Sequence, residues 1–218
     1  MIKASLFAAG LASIVASAAS ADVIAGWSMP TAVAASTTGA TYSYGAANSG
    51  ALVSGSMLSG THSSASTVWS SPAGNGSTYA LSSNAWNVGD YYQISLATTG
   101  YFSVSVAWEQ TRSSTGPAGF EAVLSVDGGS TFSSLGAYTV NQVSWNATVP
   151  VTTSSFGSLA SAADNQASVI IRFKVVTAGT STTTGTNRID NIVVSGLIPA
   201  PGAVALIGLA GLVSRRRR

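Results

Sequence analysis

Glu109 and Glu121 are the only glutamates in the 218-residue chain. Paired carboxylates are the minimum equipment for glycoside hydrolysis, one as acid and one as nucleophile or base. The two stand at the facing ends of runs that read as one hairpin. Their same-face neighbours, however, are Ser and Ala, with no aromatic subsite and no third catalytic group beside them. Two solvated carboxylates, Glu109 pairing with Arg112, account for them better. The sole histidine, His62, follows Gly60 and Thr61 with no acidic residue within ten positions. No Gly-x-Ser-x-Gly elbow supplies it with a nucleophile, so it reads as a loop histidine. Cysteine is absent, which excludes thiolate metal sites and thiol nucleophiles. The chain is therefore expected not to be an enzyme and to need no cofactor.

Three further groups could bind rather than react. Ser125, Asp127, Gly129, Thr131 and Phe132 fit the S-x-D-x-G-x-T-aromatic spacing of an Asp-box. There the Asp caps a tight turn through backbone N–H groups. Propellers repeat the box blade after blade; here it occurs once, so a turn-stabilising Asp127 is expected. Asp190, in Arg188-Ile189-Asp190-Asn191-Ile192, is a weak calcium candidate with Asp22 or Asp164 as partners. A carboxylate bonded to loop backbone or an arginine is the simpler reading, and no metal is assigned. Trp69, Trp86, Tyr91 and Tyr92 are the candidates for stacking on sugar rings.

The ends carry a different chemistry. Lys3, an apolar run from Ala4 to Val15 and the Ala19-Ser20-Ala21 site form a secretory signal peptide, with cleavage between Ala21 and Asp22. The opposite end reads Pro199-Ala200-Pro201-Gly202, an apolar stretch to Val213, Ser214, and then Arg215, Arg216, Arg217 and Arg218. Twelve helical residues reach about 18 Å, a short membrane span held by arginines on the cytoplasmic side. The string PAPGAVALIGLAGLVSRRRR resembles the PEP-CTERM sorting tail. Ala200 stands where that signature has its central Glu, as in a Pro-Ala-Pro-Gly variant. The resemblance implies an exosortase-type membrane enzyme and the secretion machinery as partners, and transient membrane anchoring before release. It also implies a destination at the cell surface or in an exopolysaccharide matrix.

Removing the ends changes the charge. The full chain carries +2. The domain between keeps Arg112, Arg172, Lys174 and Arg188 against Asp22, Asp90, Glu109, Glu121, Asp127, Asp164 and Asp190, which is 4 − 7 = −3. Nucleic acid is excluded as a partner.

Residues 22–196 must then form the working domain, with 1–21 as signal helix and 197–218 as sorting tail. A composition rich in Ser, Thr, Gly and Ala could mean low-complexity disorder, but disorder goes with high charge and few aromatics. Here charges are few, tryptophans stand at 27, 69, 86, 108 and 145, and alternating β-branched runs argue for strands. Strands are expected over Tyr91–Leu96, Tyr101–Glu109, Phe120–Val126, Ala167–Val176 and Arg188–Ser195. On the second, Phe102, Val104, Val106 and Trp108 should share the inner face. On the last, Ile189 and Asn191 should oppose Asp190 and Ile192. The stretch Thr31–Ser66 is poor in signals. No internal helix and no repeat is evident, so the fold class is all-β, a single sandwich or barrel.

The runs YFSVSVAWEQTRSSTGPAGFEAVLSVDGGSTF and TGTNRIDNIVVSG resemble lectin-like jelly-roll sandwiches of tail-bearing surface proteins. That resemblance implies a long hairpin around the Ser/Thr-Gly-Pro loop and a closing strand beside the N-terminal one. Three functions follow: a surface or matrix protein with a structural or adhesive role in envelope or biofilm, a carbohydrate-binding module, or a secreted glycosidase using Glu109 and Glu121. The first is the leading expectation.

Overall fold

The computed structural model describes residues 21–141, 152–156, 159 and 161–199, for 152–156 the backbone only. Residues 1–20 of the expected signal segment, all of the sorting tail beyond Pro199, and Trp145 lie outside the described residues, while Ala21 opens the first strand. Among the described residues twelve strands run in order: β1 Ala21–Trp27, β2 Thr41–Gly45, β3 Met57–Thr61, β4 Trp69–Ser70, β5 Leu81–Ser83, β6 Tyr91–Leu96, β7 Phe102–Arg112, β8 Gly119–Ser125, β9 Ser133–Thr139, β10 Thr152–Phe156, β11 Val169–Thr177 and β12 Asn187–Leu197. Among the described residues the one helical piece is a 3₁₀ turn at Ser161–Ala163. The chain is all-β, as its alternating pattern requires.

The strands form two antiparallel sheets of six. Sheet I runs β10-β7-β12-β5-β4, with β1 also on β12; sheet II runs β2-β3-β6-β11-β8-β9. β12 is the hub of sheet I. One edge pairs with β7, while the other takes β5 at Asn187–Ile189 and then β1 at Ile192–Leu197. The last strand thus closes beside the first.

Aromatic residues join the sheets. Trp108 of β7 meets Phe173 of β11 at 4.4 Å between ring centroids, and Trp69 of β4 meets Tyr92 of β6 at 6.5 Å. Trp27, Trp69, Trp86 and Trp108 are each no more than 1 % exposed. Burying one such ring contributes on the order of 5 kcal/mol of transfer free energy, an upper figure. Each buried indole N–H also finds an acceptor: Gly45 O, Gly39 O, Ser83 O and Gln110 Oε1 respectively. Gly60 of β3 lets Trp69 in, because a Cβ there would sit 2.3 Å from the ring.

Three expectations fail for local reasons. β7 and β8 are not a hairpin: β7 lies in sheet I and β8 in sheet II, so the Ser/Thr-Gly-Pro loop crosses from one layer to the other. At the start of β7, Ser103 has φ 50°, which reverses the facing of the residues before it. Tyr101 is buried while Phe102 is 41 % exposed. In β12 the register slips between Asp190 and Val193, and Asn191 has φ 46°. The extra residue brings Ile189 and Ile192 to the same core instead of opposite faces. The weak stretch Thr31–Ser66 supplies β2 and β3 on the edge of sheet II.

Candidate functional site

The expected glutamate pair is divided between the layers. Glu109 stands on β7 of sheet I and Glu121 on β8 of sheet II. Each has its own partners. Arg112 does not neutralise Glu109; its Nε donates to Val140 O at 3.0 Å and its Nη1 to the carbonyls of Ser113, Ser114 and Gly116. Glu121 pairs with Lys174 Nζ at 3.1 Å, and a Ser134 hydrogen bond together with that lysine holds its carboxyl below the usual range.

Glu109 instead meets Asp190, its register partner on β12. Both lie on the side of sheet I opposite Trp108 and Ile189, under a loop near Asn75. Asp190 is fully buried and accepts from Asn75 N at 2.9 Å, Asn191 N at 2.7 Å and Ser77 Oγ. The side-chain amides of Asn75 and Asn191 both donate to Glu109 Oε2, at 2.9 and 2.7 Å. Desolvation raises the Asp190 carboxyl, its hydrogen bonds oppose that, and the nearby Glu109 charge adds to the rise. A Cβ at Gly74 would lie 2.5 Å from Asp190 Oδ2, so the loop sits directly on the carboxylate. The proposed calcium partners are elsewhere: Asp164 Oδ1 takes the Val104 N–H, and Asp22 is exposed on β1. Among the described residues no three His, Cys, Asp or Glu side chains gather as a metal site.

His62 is not in an open loop. It is 4 % exposed, with its ring 4.1 Å from Trp86 and 4.9 Å from Trp69. Nε2 lies 3.2 Å from Ser83 Oγ and Nδ1 lies 3.4 Å from Asp90 Oδ2. The order Ser-His-Asp is that of a hydrolytic triad, and no sequence signal announced it. Ser83 is 1 % exposed, so substrate cannot reach its hydroxyl. Asp90 is committed to two backbone donors, Ser63 N and Asn87 N, both at 2.7 Å. Burial holds the imidazole below its ordinary pKa against the pull of Asp90 and the Ala85 carbonyl. The trio is core.

The side chains left for a partner lie on the outer face of sheet II. Register aligns Thr61, Tyr91, Lys174 and Glu121 in one row, and Ser59, Gln93 and Arg172 in the next. The alternation that sends Tyr92, Ile94, Ile171 and Phe173 inward sends these outward. The Arg172 guanidinium carbon lies 4.2 Å from the Tyr91 ring centroid and 4.0 Å from that of Phe132, while Nε donates to Gln93 Oε1 at 2.8 Å.

Phe132 is delivered by the Asp-box turn after β8. Asp127 Oδ1 accepts from Thr131 N at 3.0 Å, Oδ2 from Thr131 Oγ1 at 2.6 Å, and Ser125 Oγ accepts from Gly129 N at 2.9 Å. Gly128 and Gly129, at φ 72° and 91°, permit the turn. These bonds hold the Asp127 carboxyl far below the usual carboxylate range.

Of the four aromatics expected to stack on sugar, Trp69, Trp86 and Tyr92 are buried in the core, so their ring faces meet protein. The reason is that each falls on, or packs beside, an inward position of its strand. Tyr91 alone is half-exposed, on the sheet II face. Phe132 was legible only as the aromatic of the Asp-box, and Arg172 and Gln93 escaped the sequence reading as binding residues. Their one signal was alternation in β6 and β11, which marks polar residues as outward but not as neighbours.

The sequence matches no protein-family model. It matches no curated protein either. Among solved structures, the K1 cleaved adhesin domain of Lys-gingipain from Porphyromonas gingivalis W83 aligns with TM-score 0.43 and 10 % identity, over 78 % of this chain and 95 % of that one. The CBM22-2 xylan-binding domain from Paenibacillus barcinonensis Xyn10C aligns with TM-score 0.43 and 9 % identity, over 78 % and 98 %. TmCBM61, solved in complex with β-1,4-galactotriose, gives 0.39 and 10 %, over 65 % and 88 %. Similarity at this level is confined to the coarse arrangement of strands and carries no information about ligands.

Proposed function

We propose that this is an exported envelope or matrix protein whose lectin-like, jelly-roll domain binds polysaccharide on the outer face of sheet II and does not cleave it. The observation that carries the reading is the Tyr91–Arg172–Phe132 contact beside Gln93, on a sheet face that also carries the hydroxyls of Ser59 and Thr61 and the Lys174–Glu121 pair. Sugar recognition needs ring surfaces together with oriented donors and acceptors, and this face supplies both. The PEP-CTERM-like tail supports delivery to the surface by an exosortase-type system. Tethering polysaccharide there would give the adhesive or structural role in envelope or biofilm.

The glycosidase alternative draws no support from Glu109 and Glu121, which stand in different sheets with separate partners. Affinity electrophoresis of the full chain through gels containing soluble polysaccharides tests the reading, with reducing-end assays in parallel. Retardation by at least one polysaccharide without release of reducing ends is expected. Mobility unchanged by every polysaccharide would remove the binding claim, and reducing ends released by the pure chain would remove the non-enzymatic one.

A further inference from the structure

Arg172 holds more hydrogen-bonding capacity than the fold uses. Its guanidinium has five N–H donors, and among the described residues only Nε has a partner, Gln93 Oε1. Nη1 and Nη2 are left with none. Arg112 is the contrast, since its Nη1 alone serves three backbone carbonyls. The Arg172 plane is meanwhile fixed by the rings of Tyr91 and Phe132. A long cationic side chain ordinarily loses much rotamer freedom on binding; here that cost is met in the free protein.

From this donor edge we infer that the polysaccharide is acidic, and that the Arg172 fork takes the carboxylate of a uronate residue through Nη1 and Nη2. The inference rests on the polysaccharide reading and narrows it to a ligand class. A guanidinium offers donors and no acceptor, which suits an anion better than a hydroxyl that must also donate. Lys174, two residues along β11 on the same face, adds positive charge at 36 % side-chain exposure, shared with Glu121. Asp127, the other carboxylate near this turn, has both oxygens bonded to Ser125 and Thr131. The domain between the two end segments carries −3, so bulk attraction cannot collect polyanions. Recognition must come from the placed fork.

The test compares polygalacturonate with its methyl ester, which keeps the sugar backbone and removes the charge. The purified full chain is the analyte, with neutral galactan, xylan and poly-L-glutamate as further probes. Wild type should bind the acid at least about tenfold more tightly than the ester. In Arg172→Gln that ratio should fall to about one. Arg172→Lys, which keeps the charge and loses the fork, should restore only a minor part of it. Thermal unfolding checks that the Gln variant is folded; should it not be, the Lys variant alone carries the comparison. Equal affinity for acid and ester overturns the inference and leaves polysaccharide binding standing, as does a preference that survives both variants. Poly-L-glutamate bound as tightly as polygalacturonate also overturns it, since any polyanion would then serve. Failure to bind any of the four saccharide polymers removes the polysaccharide reading and this inference together.

Discussion

Each sheet carries charge on its outer side, and the two do opposite things with it. On sheet I, Asp190 and Glu109 are enclosed by a loop whose backbone and amides answer their oxygens: Asn75 and Asn191 each bond both carboxylates, and Ser77 adds a hydroxyl. On sheet II, Arg172 has one hydrogen bond and two ring contacts among the described residues, which leave its outer nitrogens unused. A buried carboxylate without donors would cost several kcal/mol, so the first arrangement is what the fold itself demands. A half-exposed guanidinium demands nothing of the kind, because water satisfies it. Charge that is sealed has its hydrogen-bonding capacity spent on the fold; charge that is oriented and left open is available for a partner.

Asp190→Ala should break the sealed side with the largest effect. It strands the Asn75 and Asn191 N–H groups and the Ser77 hydroxyl and leaves a void, for a loss of about 3 kcal/mol. Urea unfolding measures it, and polysaccharide affinity of the remaining folded protein should be unchanged. A variant as stable as wild type would mean the loop, not the carboxylate, holds this side together.

Arg172→Ala reverses the pattern. Binding should fall about tenfold or more while stability changes by less than about 1 kcal/mol, the worth of a half-exposed cation–π contact. A large stability loss in urea would place Arg172 among the structural residues and erase the contrast.

The third prediction concerns pH. Burial lowers the His62 pKa in the folded state relative to the unfolded chain. The unfolded state therefore binds the extra proton first as pH falls. The contribution of a neutral His62 is complete above its unfolded pKa, about 6.5, and is lost progressively below it toward the lower folded value. His62→Gln should be less stable at pH 7.5 yet flatter between pH 6.5 and 5. Parallel stability curves for the two proteins would contradict the assignment.

Asp127→Asn should have the smallest effect, a loss of polysaccharide affinity short of that in Arg172→Ala, because the turn loosens and Phe132 drifts from the guanidinium. The Asp127 carboxyl is held below its ordinary pKa, so its contribution is present above the unfolded value and is lost only as pH falls through the lower folded one. The wild-type turn should thus survive to pH values at which ordinary aspartates are protonated. NMR titration of the Thr131 amide follows this directly.

How far the sequence reached differs from strand to strand. β6 and β11 were legible because their alternation is unbroken, and Val169, Ile171, Phe173 and Val175 are all fully buried. β12 was only half legible, since the bulge at Asn191 shifts the phase and periodicity carries no mark of a backbone at φ 46°. The Asp-box was legible down to its hydrogen bonds, its partners all lying within four residues of Asp127.

By itself, then, the sequence determined what local chemistry can determine: strand type, the capped turn, the charge of the domain, and end segments that resemble export and sorting signals. Tertiary structure decided which distant residues share a site. It parted Glu109 from Glu121, gave Glu109 to Asp190 across 81 positions of chain, buried His62 between tryptophans, and brought Phe132 onto Arg172. Alternation says which way a side chain points, but pairing between strands far apart in the chain says what it meets. That pairing is chosen by burial summed over the whole core, which no local stretch of sequence contains.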